Sequence, residues 1–293
     1  MGVSARTAPH AANRPRGIEK SWQRLLLHPY LWVGGGILLL LLVFCFLGPA
    51  LYGHPANHID VSRVYQPPSL KYPLGTDGVG QNMFVQMMVG GRVPIAAGFV
   101  TALLSSLFGI AAGLVASFSR GAVDNLIMRV ADAVFGIPQI VPVLFIEAVL
   151  GATTQSLILT IALTSWPVTA QLIRSRALLE REMPYVEAAR AAGASRVGIV
   201  LRHVLPNLLD TVVASVTTQF GNGVILIAIA TVVGLGLAPP WNWASMIGAN
   251  IEPLFGGYWW LVVPPGLALS LLLLSVHLIG EAIRHAANPK EMY

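Results

Sequence analysis

The sequence predicts an all-α integral membrane protein with six transmembrane helices. Of its 293 residues, 55% are hydrophobic and 11% are charged, and the mean hydropathy is +0.69. An ordinary soluble domain has about a quarter of its residues charged, so this composition is typical of a chain whose solvent is lipid. The apolar residues also form runs close to the roughly 20 residues that a helix needs to cross a bilayer.

Six such runs are predicted to span the membrane. They are Tyr30–Leu51, Val93–Phe118, Met128–Leu150, Ser156–Leu172, Leu208–Leu235 and Trp259–Ile279. The first run is longer than the apolar core of a signal peptide and follows a polar tail of about thirty residues, so we interpret it as a retained span. Residues 1–29 are predicted to be a cytoplasmic tail with a short interfacial helix around Trp22–Leu27, and residues 30–293 the membrane domain.

The positive charges predict the orientation of these spans, because Lys and Arg are retained on the cytoplasmic side. With the N-terminus inside, all but three of the 18 Lys and Arg residues lie in cytoplasmic segments, and the three exceptions are Arg63, Lys71 and Arg92. Both termini are therefore predicted to be cytoplasmic. Residues 52–92 form an extracytoplasmic segment, and residues 176–206 form a cytoplasmic loop.

Composition and charge argue against several other classes. The net charge is +5, but the Lys and Arg residues are spread along the chain without a basic patch that is interleaved with aromatics, so nucleic acid is not an expected partner. The single cysteine, Cys45, lies in an apolar run and cannot form an intrachain disulfide framework or a cysteine metal site. No HExxH, GxSxG or paired-Asp pattern indicates an intramembrane enzyme.

The cytoplasmic loop carries the most specific local pattern. Pro184 suits the first turn of a helix, and Glu187 places a negative charge near its N-terminus. Gly193 permits a turn, Ser195 can cap a second helix, and Pro206 is expected to end that helix before the fifth span. By periodicity alone, this hairpin fits either an amphipathic element on the inner leaflet or a docking element for another protein.

The residue pattern of the loop favours docking, because it resembles the EAA motif of ATP-binding-cassette (ABC) importer permeases. EAA-x3-G is followed by LP at the family's distance, although His203 stands where isoleucine is common. In that family the loop is a coupling helix that sits in a groove of a separate ATPase subunit. The resemblance assigns ATPase coupling to Glu187, Ala188, Ala189, Gly193, Leu205 and Pro206.

Further landmarks resemble the C-type subunit of the dipeptide/oligopeptide/nickel permease family. They are LGTDGVGQN at Leu74–Asn82, GGRVP at Gly90–Pro94, SRGAVDNLIMRVAD at Ser119–Asp132 and PYVEAARAAG at Pro184–Gly193. The chain departs from the family at Gln81 and Asn82, where an Arg-Asp pair is usual, and at Ile227, near which a glutamate is expected. Near the C-terminus, where the family has an acidic motif, this chain instead has GEAIRHAANP, Gly280 to Pro289.

This resemblance implies a type I ABC importer permease fold, and a multi-pass protein of the bacterial cytoplasmic (inner) membrane. The implied partners are a homologous B-type permease, two ABC ATPase subunits, an extracytoplasmic solute-binding protein and membrane lipid. The chain has no Gx4GK[ST] loop, so the resemblance assigns ATP and Mg²⁺ to the ATPase subunits and predicts no cofactor, metal or catalytic residue in this chain.

The sequence leaves alternatives open for the identity of the transported solute and for the energy source. Peptides are the first expectation from the resemblance, and nickel or a metal chelate is the alternative with the same architecture. A stand-alone, ion-coupled secondary transporter is the alternative of another class. It should have inverted halves with matching polar residues, and no such internal symmetry is visible.

The sequence also predicts roles for individual residues in and near the spans. Asp132 is interpreted as the ion-pair partner of Arg129, and Glu147 as a candidate pathway residue or a side chain that reaches toward the interface. Glycines of the second span are expected to allow close helix packing.

The outer segments carry two further sets of residues. We interpret His54, His58, Asp60 and Asp77 as solvated loop residues without metal-ligand spacing. We interpret the aromatic residues of the second outer segment as a membrane-interface belt: Trp241, Trp243, Tyr258, Trp259 and Trp260.

Overall fold

The computed structural model describes residues 25–53, 58–119, 121–151, 153–235 and 242–287, and the regular structure in these residues is helical. The α-helices are α1 Pro29–Leu42, α2 Gly48–Tyr52, α3 Met83–Gly90, α4 Arg92–Phe118, α5 Ala122–Phe135, α6 Ile140–Leu150, α7 Thr154–Arg181, α8 Pro184–Ala191, α9 Arg196–Ile199, α10 Leu205–Asn207, α11 Leu209–Val232, α12 Trp243–Ala249, α13 Ile251–Phe255 and α14 Val263–Ala287. Of the interfacial helix predicted around Trp22–Leu27, residues 25–27 are helical, and the rest lies outside the described residues.

The helices that are long and apolar enough to cross a membrane agree with the predicted spans except at the third. Within the described residues, five helical stretches are each long and apolar enough to span a membrane: Pro29–Tyr52, Met83–Phe118, Thr154–Arg181, Leu209–Val232 and Trp259–Ala286. The third predicted span, Met128–Leu150, is instead part of a helix pair bent by 83°. Gly136 and Pro138 stand at the break, where proline cannot donate a helix hydrogen bond and glycine weakens the helix.

The second span begins at Met83, nearly three turns earlier than the predicted start at Val93. Helix α3 places Met83 and Val85 in the interior, in a stretch that the sequence assigned to the extracytoplasmic loop. Asn82 starts this helix by accepting a hydrogen bond from the backbone N–H of Phe84, at 3.0 Å. Gly91 separates α3 from α4. A larger residue does not fit there, because a methyl group would lie 2.3 Å from both Sγ of Cys45 and the ring of Trp243.

Small residues let the central helices approach closely, as the sequence predicted. Helix α4 packs along α7 and α11, and α14 packs along α1. A methyl group at Gly109 would lie 2.6 Å from Cβ of Thr169, and one at Gly113 would lie 2.6 Å from the carbonyl oxygen of Ala170. The contact between α4 and α7 therefore brings the two backbones together, which favours dispersion contacts where lipid offers no hydrophobic driving force.

Two aromatic residues of the second outer segment, Trp243 and Trp260, are interior, so the interpretation of an interface belt is wrong for these two. Trp243 is fully buried and donates from Nε1 to the carbonyl oxygen of Met87 at 2.9 Å. Trp260 is 6% exposed and donates to the carbonyl oxygen of Thr76 at 3.2 Å. Trp259 is half exposed, as a belt residue would be. Trp241 lies outside the described residues.

Candidate functional site

The predicted cytoplasmic loop folds as a helical hairpin between α7 and α11. Its first arm is α8, which begins with Pro184 in its first turn and carries Glu187 near its N-terminus. Its second arm begins at α9, where the Ser195 side chain accepts a hydrogen bond from the backbone N–H of Gly198 at 3.1 Å. The predicted turn and the predicted cap are therefore confirmed.

Gly193 makes the turn between the arms with a left-handed backbone, at a φ of 84°. The N–H of Gly193 donates to the carbonyl oxygen of Arg190, and the N–H of Ala194 donates to that of Ala189, both at 3.0 Å. These two bonds form a Schellman motif, which satisfies the last carbonyl groups of α8. Nothing lies within 4 Å of a methyl group at Gly193, so the requirement for glycine comes from the backbone angle.

The second arm ends at Asn207, one residue after Pro206, where the sequence predicted its end. Residues Val200–Val204 form a π-helical turn, in which the N–H of Leu205 donates to the carbonyl oxygen of Val200. Pro206 lacks an N–H and crowds the preceding turn, and a π-bulge is one way in which a helix adapts to this. Leu208, with φ −98° and ψ 7°, separates the arm from α11.

The apolar side of the hairpin is anchored to the end of α7. Val186, Ile199, Val204 and Leu208 are buried in one cluster with Ile173 and Ala177 of α7. Burying side chains of this size contributes about 1.5–3 kcal/mol each. Of the coupling residues named above, Glu187, Ala188, Gly193 and Pro206 are exposed and Leu205 is half-buried, whereas Ala189 packs against this cluster. The motif therefore forms an outward surface on a fixed base.

A polar network that the sequence did not predict closes the base of the hairpin. The Tyr185 hydroxyl donates to the Glu180 carboxylate and accepts a hydrogen bond from Nδ2 of Asn207 at 3.1 Å. Burial, followed by the Glu180 carboxylate, raises the pKa of Tyr185 from 10.0 to about 12. The neutral phenol therefore joins the two ends of the hairpin, which lie 22 residues apart in the chain.

The hairpin also borders a charged cleft of about 480 Å³. Its polar lining includes Arg181, Arg190 and Arg196 together with Glu182 and Glu187. Arg181 donates to the carbonyl oxygen of Ser117 at 2.7 Å, which ties the cleft to the end of α4. Charges of both signs on an open surface are suited to a polar protein partner.

The ion pair predicted between Arg129 and Asp132 is not formed. Oδ1 of Asp132 accepts a hydrogen bond from Nε2 of Gln171, at 2.9 Å. The ion pair of this region joins α5 to α7: Nε and Nη2 of Arg174 donate to the two carboxylate oxygens of Asp124, both at 2.6 Å. Helix packing, which sequence spacing does not encode, sets these partners.

Glu147 lies inside the chain, on the contact between α6 and α7. Its side chain is 1% exposed and accepts hydrogen bonds from Oγ of Ser156 at 2.6 Å and from Oγ1 of Thr160 at 3.0 Å. The alternative in which Glu147 reaches toward the interface is therefore wrong, because such a side chain would be exposed. Its role in a solute pathway stays a prediction.

The outer candidates for metal ligation have other partners. Asp77 accepts from the backbone N–H groups of Val79 and Gln81, at 3.0 and 2.8 Å. Asp60 forms an ion pair with Arg63 at 3.0 Å, and hydrogen bonds from Ser62 lower its pKa. Within the described residues, which include His58 but not His54, no group of three or more His, Cys, Asp or Glu could hold a metal ion.

A second candidate site, which sequence reasoning missed, is a groove of about 680 Å³ beside α11. Gln139, at the break between α5 and α6, and Asn222 of α11 both line it. Nδ2 of Asn222 donates to Oε1 of Gln139 at 3.0 Å, and Gln139 in turn donates to Oγ of Ser165. The proline and glycine of the break were the available signal, since a broken helix within a membrane often marks a site.

Two family models match the chain, in adjacent parts. Residues 82–289 match the model described as "Binding-protein-dependent transport system inner membrane component". Residues 18–68 match "N-terminal TM domain of oligopeptide transport permease C". The first match includes the hairpin and the groove.

Curated relatives are similar over nearly the whole chain. A putative peptide transport system permease protein of Brucella abortus is 32% identical over 92% of this chain and 90% of its own length. The glutathione transport system permease protein GsiD of Pectobacterium atrosepticum is 30% identical, with the same two coverages of 92% and 90%. The dipeptide transport system permease protein DppC of Bacillus subtilis is 26% identical over 93% of this chain and 85% of its own.

A solved structure is similar in fold. A chain of the MetNI methionine ABC transporter, in an inward-facing conformation, superposes with a TM-score of 0.60 at 20% identity. The match covers 70% of this chain and 98% of that chain. The type I importer permease fold expected from the sequence is confirmed.

Proposed function

Since this chain belongs to the family of binding-protein-dependent transport system inner membrane components, as a C-type permease of an ABC importer, we propose that it forms half of a peptide-selective passage. The relatives named for peptide, dipeptide and glutathione transport support peptides as the solute class, because glutathione is itself a tripeptide. The other half of the passage is a homologous B-type permease. An extracytoplasmic binding protein delivers the solute.

The proposed energy input is the closure of two ATPase subunits, which hold ATP and Mg²⁺ and act on this chain through the hairpin. The observation that carries this proposal is the division of the hairpin into a buried base and an exposed motif surface. A partner that pushes on Glu187 or Ala188 moves the whole element, because the base is packed against α7. Helix α7 then transmits the movement to the membrane-spanning core through its close contact with α4.

The proposed orientation places both termini and the hairpin in the cytoplasm of the bacterial inner membrane. Charge asymmetry supports it, because Arg190, Arg196 and Arg202 of the hairpin lie on the predicted inner side. Labelling of single cysteines in intact cells with a membrane-impermeant maleimide tests it. Leu70→Cys should react at once and Val197→Cys only after permeabilisation, and both positions are exposed. Cys45 is fully buried and gives a low background.

Affinity purification of the chain from its native membrane, followed by mass spectrometry, tests the proposed partners. We expect a second permease, ATPase subunits and a binding protein to be recovered. The Ala188→Leu variant should lose the ATPase subunits and keep the second permease, because it widens the exposed face of α8. Ala122→Leu, on the exposed start of α5, is the matched control and should keep both.

Uptake by the purified assembly in proteoliposomes tests the transport reaction. We expect a labelled tripeptide to accumulate when ATP and the binding protein are present, and to accumulate equally after the proton gradient is collapsed. Accumulation that stops with the gradient would refute the proposal in favour of an ion-coupled transporter. Ni²⁺ accumulation without peptide accumulation would refute the assignment of the solute.

A further inference from the structure

The groove beside α11 lies at the middle of the membrane-spanning helices. Helix α11 runs from Leu209 to Val232, so at about 1.5 Å per residue Asn222 lies about 20 Å from one end and about 15 Å from the other. Gln139 stands at the break of the bent helix pair and is hydrogen-bonded to Asn222, so it lies at the same depth. Two amide side chains therefore meet near the bilayer midplane.

A chain of hydrogen bonds holds these amides in one orientation. The Ser165 hydroxyl donates its proton to the carbonyl oxygen of Ile161 at 2.6 Å, so its oxygen serves as an acceptor. Ser165 accepts a hydrogen bond from Gln139, which in turn accepts one from Asn222 at 3.0 Å. Within the described part of the chain, Oδ1 of Asn222 accepts no hydrogen bond from any donor. The network therefore leaves one fixed acceptor beside the groove.

Polar and apolar side chains line the rest of the groove. The lining includes Thr218 and His277 among apolar residues such as Val168, Ile225 and Leu274, and it contains no Asp, Glu, Lys or Arg. Thr218 and His277 are exposed on the surface of this chain. Polar side chains at this depth are costly when they face hydrocarbon, so they normally face a protein partner or a water-filled passage.

We infer that Asn222, positioned by Gln139, accepts a hydrogen bond from a main-chain N–H of the solute as it passes along this groove. The inference rests on the proposed function, and it specifies what the passage recognises: the amide backbone of a peptide. A neutral contact of this kind is weak enough to release the solute, which a passage requires. The walls carry no fixed charge to select among side chains, so they admit peptides of varied sequence.

Replacing one peptide bond of the solute by an ester tests this contact, because the ester keeps the shape of the peptide and removes the N–H donor. Uptake of a tripeptide and of its ester analogue is compared in proteoliposomes that contain the complete importer. One neutral hydrogen bond predicts that the wild type transports the amide about fivefold faster. The variant Asn222→Leu is nearly isosteric and should lower this ratio about fivefold relative to the wild type. Asn125→Leu, on the exposed surface of α5, is the matched control and should keep the ratio of the wild type.

The ratio separates this contact from the other parts of the importer. The binding protein is the same in every assay, so its own preference for the amide cancels between wild type and variant. If the wild type takes up neither compound with ATP, the proposed function fails. If the wild type transports peptide and Asn222→Leu keeps its preference for the amide, the proposed function stands and this inference is overturned.

Thiol accessibility provides a second measurement that does not depend on transport by the leucine variant. Asn222→Cys should react with a water-soluble methanethiosulfonate in the nucleotide-free importer, and saturating peptide should slow the reaction at least about fivefold. Leu163→Cys is the control on an exposed, apolar face of α7, where lipid keeps the thiol from ionising. Reaction rates at Asn222→Cys that match those at Leu163→Cys, or that peptide leaves unchanged, would overturn the inference.

Discussion

The turn at Gly193 should decide how tightly ATP hydrolysis is coupled to uptake. The φ of 84° is unfavourable for a residue with a Cβ, and an Ala in the left-handed region costs about 1–2 kcal/mol. The methyl group itself meets nothing, so Gly193→Ala should weaken the turn without a clash. If docking requires the formed turn, the docked population falls by up to about thirtyfold. Gly193→Pro should have a larger effect, because it also removes the N–H that bonds to Arg190.

The assay is the number of peptides taken up per ATP hydrolysed by the reconstituted importer. Gly234 provides a matched control: it has a φ of 99°, it makes the same pair of Schellman bonds at the end of α11, and its Cβ position is equally open. We expect Gly193→Ala to lower the ratio severalfold and Gly234→Ala to leave it unchanged. Full uptake and normal assembly in Gly193→Pro would refute the reasoning, since that variant cannot keep the turn.

Four further expectations concern stability, pH and the buried carboxylate. Arg174→Met leaves Asp124 without its partner and should destabilise the importer by about 1–3 kcal/mol, measured as a lower thermal midpoint. Gly91→Ala forces a methyl group to 2.3 Å from buried atoms, so overpacking should cost about 1–3 kcal/mol and reduce the yield of folded protein. The pKa of Tyr185 is raised from 10.0 to about 12. The stability that the neutral phenol contributes is therefore complete below pH 10 and is lost as the pH rises through about 12. Tyr185→Phe should remove this part of the alkaline decrease in thermal midpoint. A pathway role for Glu147 predicts that Glu147→Gln slows a lysine-bearing peptide more than a neutral one, whereas equal slowing would assign the carboxylate to packing.

Local signals in the sequence were sufficient for the membrane architecture and the hairpin. Apolar runs located the five spans that are single stretches of helix, and Pro184, Gly193 and Ser195 located the start of the first arm, the turn and the cap. Each of the three hairpin signals depends on a residue and its neighbours within about one helical turn, such as the fixed φ of proline or the left-handed backbone of glycine. Pro206 located the end of the second arm to within one residue, whereas the π-helical turn that precedes it was not predicted.

Tertiary structure decided the features that depend on which helices meet. The bend of the third span brings Gln139 to Asn222, 83 residues away in the chain, and burial of Trp243 depends on a backbone acceptor 156 residues away. Hydropathy predicted that these segments enter the membrane, but a polar side chain there finds its partner only when the helices pack. The sequence by itself therefore determined the family, five of the spans and the helical hairpin. Helix packing determined the buried partners of Glu147 and the amide pair at the midplane, because lipid provides no hydrogen bonds and each polar group must be satisfied by whichever helix lies beside it.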